Sequence, residues 1–225
     1  LLFISHSPYW FIKTYLYLYL FSPVLNNYLD KINNKDRLIL ICSLAFISIY
    51  IGSSLGDSSL TEGKNLINFS LLYVLGNTFK VYEKHLRKIP SRYLICAYII
   101  LNCGILYTFV QGGMISKIIW FASFPYCSPL LIINAGLFFL IFSRLKLKSQ
   151  SINYIASSMF AVYLLHCQPY LANRINVYLS HSLVNDSIIL NFCTVLLYAV
   201  IIMAISVIID KILLFSFKRF IKCYI

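Results

Sequence analysis

Apolar residues in this chain gather into runs of about 17–25, the length a helix needs to cross a hydrocarbon core roughly 30 Å thick. Charged residues, prolines and glycines break them into seven segments, at about residues 9–29, 38–55, 65–82, 93–110, 127–143, 152–173 and 188–209. The pattern predicts an all-α integral membrane protein: one membrane domain over residues 1–225, a bundle of about seven transmembrane helices. No repeat period interrupts it. The first and third segments are the most polar, with Lys13, Asn26 and Asn27 in one and Asn65, Asn68, Asn77 and Thr78 in the other. These two are expected to face neighbouring helices, where interhelical partners satisfy polar groups that lipid cannot.

Charge gives the bundle a direction. Connections one, three and five and the C-terminal tail carry Lys31, Lys35, Arg37; Lys80, Lys84, Arg87, Lys88, Arg92; Arg144, Lys146, Lys148; and Lys211, Lys218, Arg219, Lys222. The opposite side has only Lys13, Lys64, Lys117 and Arg174. So 15 of the 19 basic residues alternate onto one side, which the positive-inside rule makes cytoplasmic. The N-terminal end is then outside and the C-terminus cytoplasmic.

Composition narrows the function classes. Only 12% of residues are charged, about half the share usual in soluble domains. The net charge of +12 does not indicate nucleic-acid binding, because the basic residues sit in short clusters between apolar runs, where lipid headgroups account for them. None of the seven cysteines forms a CxxC pair and most lie in or beside apolar runs, so they read as small buried hydrophobes, not as a disulfide framework or metal site. The chain opens at Leu1 with LLFISHSPYW, which lacks the charged start and cleavage site of a signal peptide. It is expected to be a fragment, or a chain that has lost something upstream.

The outer connections and intramembrane ionisable groups supply the candidate chemistry. Residues 54–64 hold Asp57 and Glu62 in a Gly/Ser-rich turn. Residues 111–126 hold paired glycines, then Trp120, Phe121, Phe124 and Tyr126: an aromatic belt, a re-entrant segment, or a platform for a sugar ring. His166 lies in the outer half of the sixth segment, in YLLHCQPYLANR. Pro169 removes the hydrogen bond to the Leu165 carbonyl, so a helix should bend or end there. If the pitch continues, His166, Tyr170, Asn173 and Arg174 share one polar, outward face. His166 is either hydrogen-bonded between helices or has a substrate or catalytic role. Lys13, one turn into the first segment beside Tyr9 and Tyr17, either snorkels to the interface or contacts an anion or sugar. Asp210, next to Lys211, is expected at the cytoplasmic interface. There is no Gly-rich phosphate loop, HExxH, GxSxG or paired intramembrane carboxylate.

Two stretches resemble the acyltransferase 3 family of bacterial membrane proteins, which O-acylate sugars of surface polysaccharides. YWFIKTYLYLYLFSPVLNNYL, at 9–29, is similar to the family's Tyr-Trp-Phe entry into a span (Tyr9, Trp10, Phe11) and its Ser-Pro-x-Leu-Asn exit (Ser22 to Asn26). The second stretch runs from YCSPLLIINAGLFFLIFSRLKLKS (126–149) into INYIASSMFAVYLLHCQPYL (152–171). It resembles the family's Ser-Pro-Leu opening, short basic turn and Ser-x4-Tyr-Leu-x-His-x2-Pro signature, here Ser158, Tyr163, Leu164, His166 and Pro169. LLYVLGNTFKVYE, at 71–83, looks like the family's middle helix.

The resemblance implies a ten-helix bundle of the bacterial cytoplasmic (inner) membrane with both termini cytoplasmic, of which this chain matches the last seven helices. It implies transfer of an acyl group, often acetyl, from acyl-CoA to a sugar hydroxyl of a surface polysaccharide or its lipid-linked precursor. Acetyl-CoA or another acyl-CoA would be the donor substrate, with no tightly bound cofactor and no metal. His166 becomes the catalytic candidate, assisting transfer or binding the acceptor; Tyr9, Trp10, Lys13, Tyr163, Tyr170 and Arg174 become substrate-binding candidates. The family's Arg and His pair of the first helix has no match here, and His6 does not stand in for it, so the chain is expected to be incomplete for catalysis. A polysaccharide or lipid-linked glycan transporter or polymerase is the alternative, although the longest outer connection, about 16 residues, is short for that class. A non-catalytic remnant or membrane scaffold is the third reading.

Overall fold

The computed structural model describes residues 9–54, 63–111, 126–182 and 188–224. These are helical, and no strand occurs among the described residues. The elements are α1 (Trp10–Leu29), α2 (Asn34–Ala45), which runs on as a π-helical stretch (Phe46–Ser54), α3 (Leu66–Val81), α4 (Glu83–Leu86), α5 (Ser91–Gln111), α6 (Pro129–Phe142), α7 (Gln150–Ala156), α8 (Met159–His166), α9 (Pro169–Ser182) and α10 (Ile188–Tyr224). His6 and most of the outer connections 54–64 and 111–126, with Asp57, Glu62, Lys117, Trp120, Phe121 and Phe124, lie outside the described residues.

Local chemistry sets many of the starts. Asn33, Asn65, Ser128 and Ser149 each accept a hydrogen bond from a backbone N–H three residues on, capping α2, α3, α6 and α7. Ser128 is followed by Pro129 at the first helical position, where a missing N–H costs nothing.

Chain contacts divide the protein into two compact units. In the unit Trp10–Lys146, α1 and α2 both pack on α3, and α5 packs on α6. The buried face of α3 is Asn68, Leu71 and Val74, at helical spacing, with Leu25 and Leu29 of α1 also buried. Asn26, Asn68 and Asn77 tie these helices as expected, while Lys13 and Asn27 are exposed and Thr78 donates to the Val74 carbonyl of its own helix. The Tyr73 hydroxyl donates to Asn26 Oδ1 (2.7 Å), Ser48 Oγ to Asn68 Oδ1 (3.2 Å), and Arg37 Nη1 to Asn77 Oδ1 (2.6 Å). Asn102 on α5 and Asn134 on α6 exchange two amide bonds, at 3.0 and 3.1 Å. Gly136 lets Phe79 lie against α6, since a Cβ there would stand 3.3 Å from its ring.

The unit that contains residues from Leu147 onward packs α8 on α10, with α9 touching both. Ser158 and Ser206 are almost wholly buried, small side chains that let helices approach closely. The expected single segment 152–173 is instead three helices. Ser157 Oγ donates to the Tyr154 carbonyl and the Ser158 N–H to the Ile155 carbonyl, a tight turn that ends α7. Pro169 then separates α8 from α9. The continuous polar face of His166 with Tyr170, Asn173 and Arg174 therefore does not form as one helical stripe.

The seventh segment extends beyond its expected end: α10 spans 37 residues. Its portion Ile189–Ser216 is long and apolar enough to cross a membrane by length and composition, and only 6% of its most apolar stretch is buried within the protein. Leu66–Val81, Ser91–Tyr107 and Pro129–Phe142 are shorter apolar helices.

Candidate functional site

At the N-terminal end of α3 the chain turns through Gly63, Lys64 and the cap Asn65. Gly63 has φ +72°, a conformation side chains disfavour, and an added Cβ would stand 2.5 Å from the Cys127 nitrogen. Asn68 fastens the two chain segments that meet here. Its Nδ2 donates to the Gly63 carbonyl (3.0 Å) and the Tyr126 carbonyl (3.2 Å). The result is an aromatic platform: Trp10 lies 5.0 Å from the Tyr126 ring and 6.1 Å, edge-on, from Phe69. Lys64 Nζ stands 5.8 Å from the Trp10 ring centre and 6.0 Å from that of Tyr126, within cation–π range. Rings beside an ammonium offer an apolar face and a hydrogen-bond donor together.

At the C-terminal end of the same helix is a cleft of about 350 Å³. Gly76, Phe79, Leu86, Phe139 and Leu140 give it apolar walls, with Phe79 and Phe139 stacked 6.0 Å apart. Lys80, Arg87 and Arg144 give it a cationic rim, offset by one carboxylate, Glu83, which Arg87 holds at 2.6 Å. Arg144 donates to the carbonyls of Leu86 (2.6 Å) and Ile89 (2.5 Å) and to Ser91 Oγ, fixing the α4–α5 turn as one wall.

The signature residues lie in the other unit. His166, exposed at the end of α8, has Nδ1 2.9 Å from the Val162 carbonyl, so its partner is its own helix and not a neighbouring one. A carbonyl only accepts, so Nδ1 is the donor of this pair, and in the neutral ring Nε2 is then the acceptor nitrogen. Nε2 lies 3.4 Å from Cys167 Sγ. Tyr163 packs edge-on against the His166 ring at 5.7 Å. One helix further on, Arg174 donates to the Tyr170 hydroxyl (3.0 Å) and lies 5.2 Å from its ring. Both line an open groove of about 530 Å³ with Asn173, Val177 and Tyr178.

Of the remaining candidates, Tyr9 is buried and Lys13 is exposed on α1. The structure thus joins Trp10 to a platform, pairs Tyr163 with His166, and pairs Tyr170 with Arg174. Sequence reasoning missed Lys64, Phe69 and Asn68 as a cluster with Trp10, and it missed the cleft. Their lone signal was aromatic and basic residues one turn from either end of the third segment. Cys167, expected to be an inert small hydrophobe, touches the histidine instead.

Two basic residues counted as cytoplasmic loop charges have structural work. Arg37 is buried, donating to the Leu29 carbonyl and Asn77, with its Nε unpartnered among the described residues. Lys211 donates to Ser157 Oγ (2.8 Å) and sits 4.1 Å over the Tyr154 ring. Its neighbour Asp210, expected at the interface, has a buried Oδ2 without a partner among the described residues.

A family model, that of the acyltransferase 3 family, described as an acyltransferase domain, matches residues 1–211. No curated protein and no solved structure matches the chain. The chain belongs to the acyltransferase 3 family.

Proposed function

We propose that this member of the acyltransferase 3 family transfers an acyl group, acetyl in the simplest case, from acyl-CoA to a sugar hydroxyl of a surface polysaccharide or its lipid-linked precursor. It does so as a multi-pass protein of the bacterial cytoplasmic membrane, with about seven spans in this chain, its N-terminal end outside and its C-terminus inside. One observation carries the reading: a single helix, α3, has the aromatic platform with Lys64 at one end and the cation-rimmed cleft at the other. Its 16 residues separate them by roughly 24 Å at 1.5 Å per residue. That span approaches the thickness of a hydrocarbon core.

Each end suits one substrate. The cleft's apolar walls fit the pantetheine arm of an acyl-CoA, and Lys80, Arg87 and Arg144 suit its phosphates. Trp10, Phe69 and Tyr126 offer flat apolar faces to a sugar ring, while Lys64 supplies a donor for its hydroxyls. Transfer requires a base to take the hydroxyl proton as its oxygen attacks the thioester carbonyl and the CoA thiol departs. His166, in the other compact unit, is the candidate for that base: in the neutral tautomer that donates Nδ1–H to the Val162 carbonyl, Nε2 is the acceptor nitrogen.

The test uses membranes containing the protein, labelled acetyl-CoA and a surface-polysaccharide acceptor. Label should enter the acceptor as a base-labile ester. Lys80→Ala should raise KM for acetyl-CoA about tenfold, the equivalent of about 1.4 kcal/mol, while Trp10→Ala should raise KM for the acceptor instead. No ester formation by protein shown to be present in the membrane refutes the function; an unchanged KM in both variants refutes the two-ended site.

A further inference from the structure

Resting on the acyl-transfer reading above, we propose that Cys167 is an acyl-carrying nucleophile and His166 its base, so that the acyl group passes through a thioester on the protein.

The geometry has three aligned parts. The Val162 carbonyl accepts from His166 Nδ1 at 2.9 Å, which fixes the ring's orientation. The remaining nitrogen, Nε2, is 3.4 Å from Cys167 Sγ, within hydrogen-bond reach for sulfur; in the neutral ring with its proton on Nδ1, the thiol donates and Nε2 accepts. An orienting acceptor, a base and a nucleophile in that order is the arrangement by which enzymes activate a thiol. Tyr163 completes the setting: its side chain hydrogen-bonds to Cys167 and its ring braces His166 edge-on.

These side chains meet although they are sequence neighbours. Residues i and i+1 within a helix diverge by about 100°. Here α8 stops at His166 and Cys167 is its C-cap, with φ −82° and ψ −5°, because Pro169 cannot continue the hydrogen-bond ladder. Cys167 keeps a helical backbone, its N–H still donating to the Tyr163 carbonyl, so the side-chain rotamers bring Sγ to the imidazole. His166 is exposed and Cys167 half-buried, so a donor can reach the sulfur.

In the first step the thiol proton moves to His166 Nε2, Sγ attacks the carbonyl carbon of the acyl-CoA thioester, and the C–S bond to CoA breaks. The CoA thiolate takes the proton from Nε2 and leaves as a thiol. In the second step a sugar hydroxyl gives its proton to Nε2 and attacks the Cys167 thioester; the Sγ–acyl bond breaks and Sγ recovers the proton. Exchange between two thioesters keeps the acyl group activated, so the second step retains the driving force of the original donor.

Membranes containing the protein are incubated with labelled acetyl-CoA without acceptor, denatured, and the label located by peptide mass spectrometry. Label should sit on Cys167 and be released by neutral hydroxylamine. It should be absent in Cys167→Ala, present but hydroxylamine-resistant in Cys167→Ser, and unaffected in Cys193→Ala, another of the chain's cysteines. His166→Gln should form the adduct about 100-fold more slowly, a typical loss for a removed general base. If Cys167→Ala transfers acetyl to acceptor at the wild-type rate, or the wild-type adduct lies elsewhere while transfer proceeds, the relay is refuted and the acyl-transfer reading stands. If wild-type protein gives neither ester nor adduct, the acyl-transfer reading is refuted and the relay falls with it.

Discussion

Replacing Asn68 by alanine tests how the aromatic platform is held. Asn68 is only 1% exposed and uses its whole amide. Nδ2 serves the Gly63 and Tyr126 carbonyls, and Oδ1 receives the Ser48 hydroxyl. Truncation strands two carbonyls and one hydroxyl, each costing about 1–3 kcal/mol if nothing replaces the bond. Carbonyls relax more readily than N–H groups, so a net loss of about 2–5 kcal/mol is expected. At about 2–4 °C per kcal/mol for a chain of this size, the melting temperature in detergent should fall by roughly 5–15 °C. Ser48→Ala removes one of the three bonds and should cost about 1 kcal/mol. Asn68→Asp keeps the Ser48 acceptor but turns an oxygen toward two carbonyls, so it should be no better than alanine. Tryptophan fluorescence reads both unfolding and release of Tyr126 from Trp10. An Asn68→Ala protein that melts within about 1 °C of wild type, with unchanged emission, refutes the reasoning, given that slope.

Three further substitutions probe other parts of the fold by the same melting assay. Gly63→Ala places a Cβ against the Cys127 backbone at positive φ and should cost at least about 1–3 kcal/mol; a neutral result means the turn relaxes. Asn102→Ala and Asn134→Ala should each cost about 0.6–1.7 kcal/mol, and the double variant should cost less than their sum because they remove the same pair; strict additivity contradicts the amide exchange. Ser158→Ala should melt within about 2 °C of wild type or higher, since its buried hydroxyl has no partner among the described residues and its removal relieves desolvation; a large drop reveals a hidden partner.

Most helix positions were legible because periodicity and breaks are local properties. The expected segments 9–29, 65–82, 93–110 and 127–143 match α1, α3, α5 and α6 to within one or two residues. The Ser157–Ser158 break was not legible. It arises from hydroxyl bonding to the backbone in a stretch whose hydrophobicity is otherwise continuous. The end at Pro169 was legible, because a missing N–H is written in the residue itself. Of the polar residues in the first and third segments expected to meet other helices, Asn26, Asn68 and Asn77 do, whereas Lys13 and Asn27 are exposed and Thr78 bonds its own helix; the partners were not readable. Pairing Asn77 with Arg37, or Asn68 with Tyr126, depends on contacts 40 and 58 residues apart. The same limit hid the cleft, which exists only because α3, α4 and α6 converge. For His166 and Cys167 the obstacle was different: neighbours in a helix point apart, and only their side-chain rotamers, which sequence does not give, bring them within reach.

Acetyl content of surface polysaccharide tests the central claim most directly. Bacterial cells whose membranes carry the protein should gain base-labile acetyl groups on that polysaccharide, relative to cells without it, and His166→Gln should lower the gain by about 100-fold. Unchanged polysaccharide from cells with verified membrane-resident protein would contradict the account.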